Sequence, residues 1–292
     1  MTSRKSLLKQ IGVFLLITFG IMMSCWWFAY PDGDIYGEKT GLNMLFYYLA
    51  SFSPAIGCIA ARYIFREGFK DDILFPKFTG HFKGYFLSIM LPIVFGILNC
   101  ILMTIATGSG FTVKAEDGAL EVTAGIALYS INAYIAFFIL IGEELGWRAF
   151  LYDKLERLLG FHGSIIIGGI IWGLWHIPPL IGIGLNFGKE APGFPITNIL
   201  LMCVFCIFGG AMIQMVRKMT DSVIAPIIAH AVIDTVCNPL AVVFLSEKTI
   251  EGKTFQIGLC MVVSIMIVGI PCWIYMSRRY GRMSSKTEES VA

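Results

Sequence analysis

Three short clusters hold nearly all the ionisable side chains that fall inside apolar stretches of this sequence. The first is Gly142-Glu143-Glu144-Leu145-Gly146-Trp147-Arg148, the second Trp172-Gly173-Leu174-Trp175-His176, and the third His230-Ala231-Val232-Ile233-Asp234. Glu144 and Arg148 stand at i and i+4, so on a helix they share a face and can form a salt bridge. Glu143 lies about 100° further round the same helix. Both glutamates can therefore border one cavity while playing different parts, with Arg148 neutralising one of them. His230 and Asp234 are also spaced i, i+4 and give a histidine–carboxylate face. Such a set can hold a metal, activate a water or relay protons. Each cluster also has a plain structural reading: a helical Glu–Arg pair, a histidine bonded to a neighbouring helix, and tryptophans that pack.

The elements that must carry these clusters follow from composition. The chain has 292 residues, 57% apolar and only 14% charged, with a mean hydropathy of +0.75. A soluble domain carries about 25% charged residues, and disorder requires low hydrophobicity with high charge. Both classes are excluded, and a net charge of +2 gives no ground for a nucleic-acid partner. Runs long enough to cross a bilayer occur at roughly 10–30, 41–61, 85–107, 122–147, 164–185, 196–216, 222–245 and 255–277. In hydrocarbon the backbone must satisfy itself, so these runs are expected as helices. The expectation is an all-α, polytopic membrane protein: one eight-helix domain over 1–280 and a short tail at 281–292.

Charge placement supports that count. Under an eight-span arrangement, seventeen of the 22 basic residues fall on one side and five on the other. The positive-inside rule then makes both termini cytoplasmic, as expected for a multi-pass protein of the cell membrane. Arg4 and Lys5 precede the first span, but its apolar run is long for a signal peptide and lacks an A-x-A-like cleavage site, so it is read as a retained helix. All eight cysteines fall within predicted spans, which argues for small packing residues over a disulfide framework. Pro178-Pro179 after His176 is expected to break the fifth span.

Depth can be compared along the helices. With a cytoplasmic turn near Gly160–Gly163, Glu143 lies 18 residues before Phe161 and His176 lies 15 after it. A difference of three residues is only about 4–5 Å of depth. Entering from the same side near Ser222, His230 lies about 12 Å along its span and Asp234 about 18 Å. An ionisable group at the middle of a membrane helix costs at least about 2.5–3.5 kcal/mol. Side chains kept there at that cost, at matching depth, are expected to meet in one polar site. A proton-coupled transporter also uses buried carboxylates and histidines, but spans 1 to 3 show no counterpart of these charges, as inverted repeats would. A non-catalytic immunity or scaffold protein is a further alternative.

Glu143-Glu144-x-x-x-Arg148, then Trp172-x-x-x-His176, then His230-x-x-x-Asp234 resembles the CPBP family. That family comprises type II CAAX prenyl endopeptidases and bacteriocin-processing or immunity proteins, and is also called the Abi family. The motif-bearing core covers about 120–245. Trp172 stands where Phe is usual, and Asp234 where Asn is common. The resemblance implies an intramembrane endopeptidase with a cavity open to the cytoplasm, acting on a peptide or prenylated peptide that enters from that side. It implies Glu143 as general base, His176 as a holder of the water, and His230 with Asp234 as stabilisers of the oxyanion. Glu144 and Arg148 would shape the site. An ionised Asp234 would repel an oxyanion, so it is expected either to stay protonated or to orient His230. If a divalent metal such as zinc is used, Glu143, His176 and His230 would hold it. A metal-free water activated by glutamate uses the same residues.

Overall fold

The computed structural model describes residues 3–31, 40–68, 75–108, 137–237 and 252–281. Among them all regular structure is helical. The elements are α1 (Arg4–Ala29), α2 (Gly41–Ser51), α3 (Ser53–Ile64), α4 (Phe82–Thr107) and α5 (137–146). A wide π turn, Trp147–Leu151, leads from α5 into α6 (Tyr152–Trp175). There follow α7 (Ile177–Ile183), α8 (Ile196–Thr220), α9 (Ile224–Val232) and α10 (Thr254–Met276). Further π turns close α9 (Ile233–Cys237) and α10 (Ser277–Gly281).

By length and apolarity, five of the described helical runs can cross a membrane, or six if α2 and α3 form one bent span. Two features separate this tally from the eight spans expected. The 39-residue run Phe137–Trp175 counts once, yet Gly160 interrupts it with φ 70° and ψ 179°, a region open almost only to glycine. There the chain doubles back, and the Trp172 indole comes within 3.3 Å of Glu143, 29 residues earlier. The second feature is the short apolar helix Ile224–Thr235, beyond which the rest of the expected seventh span lies outside the described residues. The early part of the fourth span and the tail beyond Gly281 lie outside them as well.

Span 2 is bent by 56° between α2 and α3, with Pro54 in the first turn of α3, where its missing N–H costs no intrahelical bond. The bend carries α3 across α5 at Gly142 and Gly146. A methyl group on Gly146 would overlap Pro54, and one on Gly142 would lie 2.8 Å from the Phe52 ring. These two glycines, four residues apart on either side of Glu143 and Glu144, let the backbones approach as small residues do between membrane helices. A similar approach joins α6 to α8, where a methyl on Gly169 would sit 2.5 Å from Ile207 Cα and one on Gly173 2.6 Å from Cys203 Cα. Helix α8 thus packs between α6 and α10, while α4 lies against α9 and α10. The seven cysteines whose side chains are described are free thiols.

Helix α9 is aimed by the turn before it. Asp221 adopts φ 47°, and its carboxylate accepts from Lys77 Nζ at 2.7 Å and Arg217 Nη1 at 3.2 Å. Partial burial pushes the Asp221 carboxyl up, but the Lys77 and Arg217 cations outweigh it and hold it below the usual carboxylate range. A depressed folded-state pKa gives stability that is present at neutral pH and lost as pH falls through that value. Because the Asp221 side chain is 58% exposed, Asp221→Asn is expected to cost only about 0.2–1 kcal/mol. The gap in melting temperature from the parent should be full at pH 7 and shrink below about pH 4; a constant gap would show that charge is not its source. Gly146→Val is expected to destabilise by about 1–3 kcal/mol in a thermal melt of the detergent-solubilised protein. Gly12→Ala, where an added methyl meets only open space, should leave the melt unchanged.

Candidate active site

The three clusters converge on one ring, the indole of Trp172. Its Nε1–H donates to Glu143 Oε2 at 3.3 Å. The Arg148 guanidinium lies over its face, 4.4 Å from the centroid, and His230 meets it edge-on at 5.1 Å. His176, one turn further along α6, stands 6.0 Å away. Glu143, Arg148, His176 and His230, expected at matching depth, thus stand around this one ring.

The two glutamates have different surroundings. Glu144 is fully buried, and its Oε1 accepts from Arg148 Nη1 at 2.7 Å and from His230 Nδ1 at 2.8 Å. The expected i, i+4 pair is thus present with both side chains wholly enclosed, and it reaches across to α9. Among the described residues no cation forms an ion pair with Glu143. Its Oε2 faces two indole N–H groups, Trp172 and, at 3.4 Å, Trp147. Long neutral donors fix the orientation of a carboxylate while leaving it basic.

Each histidine has a defined tautomeric role. His176 sits where α6 ends and the proline-led α7 begins, so the expected break falls at the histidine itself. Its Nδ1 lies 2.9 Å from the Trp172 carbonyl. A carbonyl only accepts, so Nδ1 carries the proton and Nε2 keeps its lone pair. His230 is set between two carboxylates, with Nδ1 on Glu144 and Nε2 3.8 Å from Asp234 Oδ2. The second distance is that of an ion pair and too long for a hydrogen bond. Asp234 lies in the π turn after α9, with its side chain 48% exposed while that of His230 is 7% exposed.

Two wide turns occur at the site: Trp147–Leu151 carries Arg148, and Ile233–Cys237 carries Asp234. Such turns cluster at functional sites because they shift side chains out of regular register. The first is held from outside. Arg62 of α3 donates from Nη2 to the Ala149 carbonyl at 3.0 Å, and Lys154, just after the turn, is bound by Gln10 and Glu67. Tyr152 packs its ring under Arg148, 5.2 Å from the guanidinium carbon.

Trp147 and Trp172, expected from the sequence as packing residues, both direct their N–H groups at Glu143. The signal was available, since Trp147 is four residues after Glu143 and Trp172 is the aromatic of its cluster. Among the described residues no three His, Cys, Asp or Glu side chains form a group that could hold a metal ion. Glu143, His176 and His230 are therefore not gathered as a metal-ligand set in this arrangement, although the Nδ1 contacts of both histidines leave Nε2 open.

A bundle of apolar helices enclosing carboxylates, histidines and one neutralised arginine defines a multi-pass membrane protein with a buried polar cluster. Residues 125–236, which contain all six candidate residues, match the family model described as type II CAAX prenyl endopeptidase Rce1-like. A CAAX prenyl protease 2 from Methanococcus maripaludis is 27% identical over 184 residues, covering 62% of each chain. The chain thus spans somewhat less than two thirds of that relative's length.

The enclosed pair makes a prediction that holds whatever the activity. Arg148→Leu strands a buried carboxylate and is expected to cost about 3–5 kcal/mol. Replacing both residues, as Glu144→Leu with Arg148→Leu, should cost less than the sum of the single changes by about 0.5–3 kcal/mol. Thermal melts of the four proteins measure the cycle, and strict additivity would contradict the pairing.

Proposed function

We propose that this chain is an intramembrane endopeptidase that hydrolyses a peptide bond with a water activated by Glu143. What carries the reading is the contrast between the glutamates: Glu144 Oε1 is taken by Arg148 and His230, while Glu143, among the described residues, accepts only from indole N–H groups. The water lies between Glu143 and the Nε2 lone pair of His176. Glu143 removes its proton as the oxygen attacks the scissile carbonyl carbon. His230 gives its Nδ1–H to Glu144 and, with Nε2 at 3.8 Å from Asp234, turns its Nε2–H to the developing oxyanion; one such donor contributes about 10²–10³ in rate. Asp234 serves by orienting His230, a role suited to its ion-pair distance and its position to one side of the ring. Protonated Glu143 then delivers its proton to the departing amine as the C–N bond breaks, leaving a carboxylate and an amine.

The substrate is a peptide, prenylated as the name of the related protease suggests, reaching the site from the cytoplasmic side. With this reading goes the eight-span arrangement with both termini in the cytoplasm. Cleavage of a prenylated CAAX-type reporter peptide by the purified protein in lipid nanodiscs tests it. Glu143→Gln is expected to abolish cleavage while leaving the thermal melt near that of the parent. Trp172→Phe keeps an aromatic ring and loses the N–H; kcat should fall by about ten- to a hundredfold. Undiminished cleavage by Glu143→Gln would overturn the assignment of the base.

A further inference from the structure

At the far end of α10 lies a polar–apolar boundary that the peptidase chemistry does not use. A cleft of about 520 Å³ is lined by Arg278, Arg279 and Tyr275 above and by Ile274 and Pro271 below. Arg279 donates to the Tyr275 hydroxyl at 3.1 Å and its guanidinium stands 5.7 Å from the Tyr280 ring. Lys218, at the end of α8, approaches the same ring at 5.8 Å. Lys218 is paired with Glu156, whereas among the described residues neither Arg278 nor Arg279 has a carboxylate within ion-pair range.

The helix below the cleft supplies a second, independent observation. Val263, Ile267, Ile270 and Ile274 are all exposed, and their spacing of three and four residues puts them on one face of α10. Arg278 is the next position on that face. From Val263 to Arg278 the stripe runs about 22 Å, more than the half-thickness of a hydrocarbon core at about 15 Å. The helix dipole favours a cation at this end, but it accounts neither for two adjacent guanidinium groups with no carboxylate partner among the described residues nor for an apolar track ending at them. Guanidinium forks suit phosphate oxygens, and basic clefts at a membrane boundary attract anionic headgroups.

We propose that this end of α10 binds an anionic phospholipid, with Arg278 and Arg279 on the phosphate and the Val263–Ile274 face along an acyl chain. The full chain in detergent micelles is titrated with dioleoylphosphatidylglycerol, dioleoylphosphatidylcholine or inorganic phosphate and read by native mass spectrometry. Dioleoylphosphatidylglycerol should remain bound, and the other two should not. The double variant Arg278→Gln/Arg279→Gln should weaken its binding about thirtyfold, while Arg4→Gln/Lys5→Gln, which removes the same charge elsewhere, should leave it unchanged. A dihexanoyl phosphatidylglycerol should bind less tightly than the dioleoyl form. Equal weakening by the two double variants would assign the effect to general surface charge. Displacement of the lipid by phosphate alone would reduce the cleft to an anion site. Either result overturns the proposal, as would unaltered binding in Arg278→Gln/Arg279→Gln.

Discussion

The contact on which the site depends is the enclosed ion pair of Glu144 and Arg148, with the guanidinium lying on Trp172. Neither charge can be carried alone into a low-dielectric interior, since an unpaired ion there costs several kcal/mol. Together, with His230 donating to the same carboxylate oxygen, they become tolerable. The pair therefore fixes more than itself. It sets α9 against α5 through His230 and α6 against α5 through the Trp172 ring, so three helices acquire a common register. Glu143 is then left as the adjoining carboxylate with only indole donors, and the difference between the two glutamates comes from neighbours.

Such a pair can form only if the helices come close, and close approach is built from small residues and breaks. Gly142 and Gly146 admit α3 on one side of α5, with Pro54 and Phe52 filling the contact. Gly160 turns the chain back so that Trp172 lies beside Glu143. The wide turn at Trp147–Leu151 is braced by Arg62 on the Ala149 carbonyl and by Lys154 held between Gln10 and Glu67. Positioning of the acid–base groups is thus spread over α1, α3, α6 and α9, of which α1 and α3 contribute no candidate catalytic side chain. This is a common division in which rigid elements hold a few reactive groups to a fraction of an ångström.

The motif residues were legible because hydrocarbon makes charge conspicuous. In a chain with 14% charged residues, ionisable groups inside apolar runs stand out, and the fixed rise of a helix gives each a depth. Glu143, Glu144, Arg148, His176, His230 and Asp234 could all be singled out that way, as could the break at Pro178-Pro179. The indole contacts to Glu143 were not legible, because tryptophan in an apolar run is equally a packing residue. The bend at Phe52 and the two wide turns near the site also escaped, since hydropathy averages over the few residues that make them.

The sequence by itself determined the solvent, the helical class and the short set of groups able to do chemistry, because lipid penalises every unpaired polar atom along a chain. It also determined the i, i+4 pairing of Glu144 with Arg148, which is local to one helix. Only the tertiary structure decided which glutamate is neutralised twice over, which histidine nitrogen keeps its lone pair, and whether three potential metal ligands gather. Those outcomes depend on distances between helices that are far apart in sequence. Helix packing sets them, through glycines, a doubled-back turn and an aromatic ring that several charged groups share.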